Sequence, residues 1–521
     1  MRREFLPPAI TALAMLLGAC MTATPDPLLR TTTSGPVGGV VGDASTYQWL
    51  GIPYAAPPIG ARRWRPPEPP EAWTALRTSR EFGPACPQIA GVQGPGPDGR
   101  SYGPGVEATF GTVVGDEDCI TLNLWRPASG AEELPVVVFV HGGANVVGYS
   151  GDPLYHGARL AAALDAVVVS LNYRLGLFGF FHHPALSAGA DSATASGNFG
   201  LLDLIEGLRW VARNAAGFGG DPDNVTLIGQ SAGAVNALGL MTSPLAEGLF
   251  ERVVALSGAL LSSPIEAQQR YAERVARAAL ADGATSDSAA GALRAASAEQ
   301  LVRAAAGIEG GGLATADGFV LPRDPVAVVA SGGAHGGPLI VGVTRDEGTF
   351  FVPQAFRSEA ERFRLMMRAD SVSLEDLLTP ALLEEGAFES LAAGMTRVVT
   401  DLVERSLDLF AGRSAPTYAM RFDWSTSREP WRTVIGASHA MELPFLLGNF
   451  GRHYFHPTFV AAERPGREAL SAAMQSALAR FVRSGDPNGP GLPAEWPRYD
   501  VAAPHRLVWD ADASETRIAI R

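Results

Sequence analysis

Apolar and polar residues change their spacing several times along the chain, and each change predicts an element. Pro135-Val-Val-Val-Phe-Val140 is an uninterrupted apolar run, as expected of a strand covered on both faces. Ala166-Val-Val-Val-Ser170, Asn224 to Ile228, Arg252-Val-Val-Ala-Leu256, Pro338-Leu-Ile-Val-Gly-Val343, Tyr418 to Phe422 and Leu507-Val-Trp509 read as further strands. Glu117-Asp-Cys-Ile-Thr-Leu-Asn-Leu-Trp125 instead alternates apolar with polar positions, which predicts a half-buried strand. From Asn198 to Asn214 the apolar residues recur at helical spacing. Strands that alternate with helical stretches predict an α/β fold with a mostly parallel sheet. The Pro/Gly-rich run Gly51 to Gly60 reads as irregular, and the Ala-rich region before Pro338 as helical cover. Within that cover, Ser263-Pro264-Ile265-Glu266 predicts a capped helix start with Ser263 as N-cap, continued by Gln268 to Leu280.

Composition narrows the class without naming a function. With 521 residues and 46% of them hydrophobic, the chain has ample apolar surface for a core, and a net charge of −13 argues against a nucleic-acid partner. Arg2 and Arg3 precede an apolar run from Ile10 to Leu17 that is too short to span a bilayer, and Leu17-Gly-Ala-Cys20 closes it with small residues. Residues 1–20 therefore resemble a bacterial lipoprotein signal, which implies cleavage before Cys20, acylation of Cys20 and a place in the cell envelope. The alternative is an ordinary cleaved signal. Arg2-Arg3-Glu4-Phe5-Leu6 also resembles a twin-arginine export signal. After a short linker, 21–30, residues 31–521 read as a single domain. Cys86 and Cys119 flank a Gly/Pro-rich stretch; an oxidising compartment and an even remainder of cysteines suggest a disulfide, with two free thiols as the alternative.

The candidate chemistry centres on Gly229-Gln230-Ser231-Ala232-Gly233. A strand in front, small residues behind and glycines on either side of a serine describe a nucleophile elbow, a tight bend that pushes Ser231 Oγ into the open. The motif does not stand alone. Gly51-Ile-Pro-Tyr-Ala, Glu117-Asp-Cys, His141-Gly-Gly-Ala, Asn172-Tyr-Arg-Leu-Gly, Gly197-Asn-x-Gly-Leu-Leu-Asp203, Phe218-Gly-Gly-Asp-Pro, Asp346-Glu-Gly and Gly485-Asp-Pro-Asn follow in order. Over most of its length the chain resembles the type B carboxylesterases, the α/β-hydrolase family that includes cholinesterases and para-nitrobenzyl-type esterases. That resemblance implies an α/β-hydrolase fold with a large mixed sheet and a helical cover, a small-molecule ester as substrate, and no cofactor or metal.

It also implies roles for residues. Ser231 would be the nucleophile, His439 in Gly436-Ala-Ser-His439-Ala-Met-Glu442 the base, and Glu347 in Thr344-Arg-Asp-Glu-Gly348 the acid, with the neighbouring Asp346 as its rival. Gly143, Ala144 and Ala232 would offer backbone N–H groups to the oxyanion. His182, His183, His453 and His456 lack such surroundings and read as loop or surface histidines.

Departures from the family pattern carry expectations of their own. Gln230 stands where a glutamate is common, while Ser257 and Glu442 match positions of a second polar network around the histidine. Asn145 replaces an aromatic residue after the oxyanion glycines, which predicts a more polar or wider pocket wall. There is no Trp between Cys86 and Cys119 to hold a quaternary ammonium, so choline esters are not expected substrates. Gly310-Gly-Gly312 reads as a flexible loop. An amidase, thioesterase or carbamate hydrolase with the same triad, and a non-catalytic binding protein, remain the alternatives. Monomer and homodimer stay equally open.

Overall fold

The apolar runs come together as the middle of one mixed sheet. A computed structural model describes residues 26–521 apart from 100–104, 281–285, 354–356, 369–370 and 452, so the leader and Cys20 lie outside the described residues. The sheet has eleven strands. In chain order these are β1 (Val40–Gly42), β2 (Thr46–Pro53), β3 (Thr121–Pro127), β4 (Leu134–Val140), β5 (Val167–Leu171), β6 (Gly220–Gln230), β7 (Arg252–Leu256), β8 (Leu339–Thr344), β9 (Thr417–Phe422), β10 (Leu507–Trp509) and β11 (Ala519–Ile520). Across the sheet they lie in the order β11-β10-β9-β8-β7-β6-β4-β5-β3-β2-β1. From β5 through β10 every neighbouring pair is parallel. The two edges, β11 on one side and β3, β2 and β1 on the other, pair antiparallel.

Strand alternation divides the core into two layers. Val136, Val138, Val169, Leu227, Val253 and Val341 face one layer, where helix Phe199–Asn214 contributes Leu204, Leu208 and Val211. Val137, Phe139, Val168, Ile228, Val254 and Ile340 face the other, filled by Leu470, Met474, Leu478 and Phe481 of helix Arg464–Ser484. Because successive side chains point to opposite faces, a continuous apolar run is what a strand needs when helices cover both sides. All seven residues of β4 are buried accordingly.

Several local expectations give way to tertiary context. β3 is buried on both faces, not one, because Leu122 and Leu124 pack into one core layer and Trp125 into the other. Its polar Asn123 is satisfied inside, accepting from Gly51 N at 3.0 Å and donating to Ser150 Oγ at 2.9 Å. Gly51-Ile-Pro53 belongs to β2, not to an irregular segment. A register shift between Trp49 and Ile52, with Gly51 at φ 68°, makes room for the glycine. Helix Ile265–Ala279 is capped by Pro264 without a side-chain bond. Ser263 instead pairs its backbone with Ala314 and Ala316. His182, His183 and His453 sit in loops as expected but are buried, each bound to nearby backbone; His456 is exposed. Cys86 and Cys119 are joined as a disulfide.

This topology places function at one edge. The carboxyl ends of parallel strands β4, β6, β7 and β8 lead directly to His141-Gly-Gly-Ala144, Ser231, Ser257 and Glu347. Side chains far apart in sequence converge there because each crossover returns the chain to the amino end of the next parallel strand, so the carboxyl ends lie together.

Candidate active site

Ser231 alone links a strand to a helix. β6 ends at Gln230, helix Ala232–Leu240 begins one residue later, and Ser231 between them has φ 55° and ψ −125°. A Cβ on Gly229 would lie 2.2 Å from Gly233 O, and one on Gly233 would lie 2.1 Å from Val140 O. Only glycine fits at either position. The Ser231 N–H donates to Leu256 O at 2.8 Å, which ties the turn to β7.

His439 comes from the loop between helices Trp431–Val434 and Glu442–Leu447. Its Nδ1 lies 2.5 Å from Glu347 Oε2. The other oxygen, Oε1, accepts from Ser257 Oγ at 2.6 Å and from Thr344 N at 2.8 Å. Burial by itself would raise the Glu347 carboxyl, but the attraction of His439 and hydrogen bonds from His439, Ser257 and Thr344 outweigh it and hold the group below the ordinary carboxylate value. Asp346 takes a different part. It pairs with Arg345 at 2.8 Å and accepts from Ala437 N at 2.9 Å, anchoring the backbone of the His439 loop while Glu347 meets the imidazole.

The remaining expected residues divide into those that join this constellation and one that does not. Gln230 is buried with its Nε2 3.2 Å from His439 Nε2. In the neutral tautomer with its proton on Nδ1, towards the carboxylate, Nε2 carries the lone pair and accepts from the amide N–H. Ser257 bonds Glu347. Glu442, by contrast, is buried with no hydrogen-bond partner for either carboxyl oxygen among the described residues. Burial, and then the charge of Glu347, push it up to about 8, so it carries its proton at neutral pH. The second network expected from the sequence is therefore split in two.

Ala144 and Ala232 border the cavity beside Ser231, and Gly143 adjoins Ala144 in the chain. Their three N–H groups donate to no acceptor among the described residues, although Gly143 is half-buried and Ala232 only 8% exposed. Ser231, Ala232, His439 and Ala144 line a cavity of about 280 Å³. Its far wall is apolar and comes from Val399, Leu402 and Val403 of helix Ala387–Ala411 and from Gly311 to Leu313. Sequence reasoning missed both. The helix residues belong to an ordinary amphipathic pattern, and the glycines read as loop. Gly312 is in fact clamped, since a Cβ there would sit 2.2 Å from Ala144 O. Asn145 borders this cavity, as expected of a wall residue, but it is buried and its side-chain amide is taken up by protein partners. A larger cavity of about 530 Å³ lies beside Asp346, Arg397 and Arg432, but Ser231 and His439 do not reach it.

Comparison with known proteins agrees with the geometry. Residues 25–518 match the model of the carboxylesterase family. The chain is 34% identical over 503 residues to the para-nitrobenzyl esterase of Bacillus subtilis, covering 92% of this chain and 94% of that one. It is also 34% identical over 508 residues to a cocaine esterase of Homo sapiens, covering 91% and 86%. Among solved structures, a para-nitrobenzyl esterase superposes with a TM-score of 0.73 at 31% identity, over 95% of this chain and 97% of that chain. A carboxylesterase of Geobacillus stearothermophilus does so with a TM-score of 0.73 at 33% identity, over 95% and 97%.

The neutral Glu442 predicts a pH effect on stability. Its pKa rises from 4.5 to about 8 on folding, so its contribution is complete below 4.5 and is lost as pH climbs towards 8. Glu442→Gln removes that titration. Relative to wild type the variant should gain up to about 1.4 kcal/mol per pH unit across this window. Thermal unfolding of both proteins at pH 5 and pH 8 checks it. An equal difference in Tm at the two pH values would mean that Glu442 is not held neutral.

Proposed function

The chain belongs to the carboxylesterase family and is a carboxylic ester hydrolase; from that premise we propose that it cleaves small-molecule esters by two-step acyl transfer through Ser231. One observation carries the reading: an imidazole oriented by a buried carboxylate lines the same cavity as Ser231, Ala144 and Ala232, and the backbone N–H groups of Ala144, Ala232 and the adjoining Gly143 are unspent.

In the first step Ser231 Oγ attacks the ester carbonyl and His439 Nε2 takes the hydroxyl proton. The Gln230 amide must yield that lone pair as substrate enters. Glu347, ionised and hydrogen-bonded through both oxygens, keeps the proton of the neutral ring on Nδ1 and stabilises the imidazolium that forms. Gly143, Ala144 and Ala232 N–H groups receive the negative oxygen. The alcohol leaves with the proton from Nε2, and water then repeats the sequence to release the carboxylic acid and restore Ser231. The modest apolar cavity favours neutral esters with short acyl chains.

We also propose export and lipid anchoring. The support is Arg2 and Arg3, the short apolar run and Leu17-Gly-Ala-Cys20. Among the described residues no helix is long and apolar enough to cross a membrane, so attachment would rest on the lipid at Cys20.

Protein without residues 1–20, assayed with para-nitrophenyl esters from acetate to palmitate, should prefer the short chains. Ser231→Ala or His439→Ala should each lower kcat by about 10⁴-fold or more. Near-normal turnover in either variant would refute the triad. Gln230→Glu places a negative charge against the imidazole and favours its protonated form, so the acidic limb of the kcat/KM profile should move to higher pH. Superimposable profiles would remove Gln230 from this role. For the anchor, a fatty-acid label should enter the full chain and not its Cys20→Ser variant. Equal labelling of both would place the lipid elsewhere.

A further inference from the structure

The loop that carries Gly143 and Ala144 is not held by its own backbone alone. Ala144 and Asn145 are consecutive non-glycine residues in the left-handed region, at φ 55° and 58°, and follow Gly143 at φ 94°. Each such residue is strained, and the conformation persists only where neighbours over-determine it. One side chain links this loop to two other segments.

The Asn145 side-chain amide has protein partners on both its nitrogen and its oxygen. Its Nδ2 donates to Gly312 O at 2.7 Å and to Asn236 Oδ1 at 3.2 Å. Its Oδ1 accepts from Asn236 Nδ2 at 2.8 Å and lies 2.8 Å from the Tyr173 hydroxyl. The same hydroxyl is 2.9 Å from His141 O, and its single proton serves one acceptor at a time. Asn145 O accepts from Gly176 N at 2.6 Å. Both asparagines are almost wholly buried, at 1% and 2% exposure. Asn145 and Asn236 thus form a reciprocal amide pair inside the protein.

The partners matter because of where they stand. Asn236 lies on helix Ala232–Leu240, whose first N–H is that of Ala232. Gly143 and Ala144 lie on the loop after β4. The three donors therefore come from two separate elements, and the amide pair joins those elements at the cavity wall, where Asn145 is part of the lining. Its side-chain polar atoms are all engaged by protein groups, so the Asn145 amide acts on the loop and not as a direct substrate contact.

We propose that Asn145, through Asn236 and Gly312, is a positioning residue that sets the spacing between the Gly143/Ala144 donors and the Ala232 donor. The inference rests on the oxyanion reading of those three groups. An apolar residue at 145 would leave the buried Asn236 amide and Gly312 carbonyl unpaired and would release the loop from the helix. The effect would fall on the transition state, where the donors meet charge, and spare the ground-state complex.

The test uses para-nitrophenyl butyrate kinetics and inhibition by a trifluoromethyl ketone on Asn145→Leu, Asn236→Ala and the double variant, with Ser231→Ala alongside. Each single variant should lower kcat about 10- to 100-fold with KM changed by less than about threefold. Trifluoromethyl ketone affinity should weaken by the same factor as kcat/KM. The double variant should be no slower than the slower single one, because the two residues act as a unit. A kcat within about twofold of wild type, losses confined to KM, or single effects that multiply in the double variant would overturn the proposal. Should Asn145→Leu fail to fold, Asn236→Ala lies outside the strained loop and gives the same readout. Turnover retained by Ser231→Ala would instead sink the serine-hydrolase reading itself.

Discussion

At Ser231 the chain holds a φ of 55° and ψ of −125°, and the rest of the site is arranged around keeping it there. Such a conformation costs a non-glycine residue on the order of 1–3 kcal/mol. It is imposed from three sides: β6 is locked between β4 and β7, helix Ala232–Leu240 packs against both, and Gly229 and Gly233 allow backbone contact that any side chain would block. The strained residue is thereby aimed away from the sheet into the cavity. Without that close approach the elbow would need a longer turn, and Ser231 would lose its fixed relation to His439.

The strain is not confined to the serine. Of the ten non-glycine residues with positive φ among the described residues, Ala144, Asn145, Ser231, Ser257 and Ala440 lie at this one edge of the sheet. They occupy the points where parallel strands or loops leave the core and must turn at once towards a shared centre. A rigid sheet with apolar layers on both faces makes this tolerable, since the loops can borrow restraint from a framework that does not yield.

Electrostatics in the same volume separates two buried glutamates of similar exposure. Glu347 has hydrogen bonds on both oxygens and an imidazole beside it, and it stays ionised. Glu442 has neither and is raised by burial and by Glu347 itself. Two carboxylates so placed cannot both be charged cheaply, and the hydrogen bonds decide which one is. His141, behind the oxyanion loop, is treated in the same way: burial pushes it down to about 4, and the neutral ring stacks on Tyr173 at 4.7 Å. The one charged acid of this inner cluster is thus the one that faces His439.

Much of this was legible in the sequence. Continuous apolar runs marked the central strands to within a residue or two at most ends, because a strand covered on both faces has no polar positions to spare. The spacing of Gly229, Ser231 and Gly233 announced the elbow, because only glycine permits that approach; Glu347 and His439 were nameable from the residues around them. What local pattern could not supply was the environment of polar residues. Asn123 falls on a polar position of the alternating strand and Asn145 on the pocket wall, yet the side chains of both are buried and engaged by partners 27 and 91 residues away in sequence, at Ser150 and Asn236. Gly310 to Gly312 read as slack loop, but proximity to Ala144 makes it a wall. Burial, pairing and charge state depend on which distant segments the sheet order brings together, and that order is decided only when the whole chain packs.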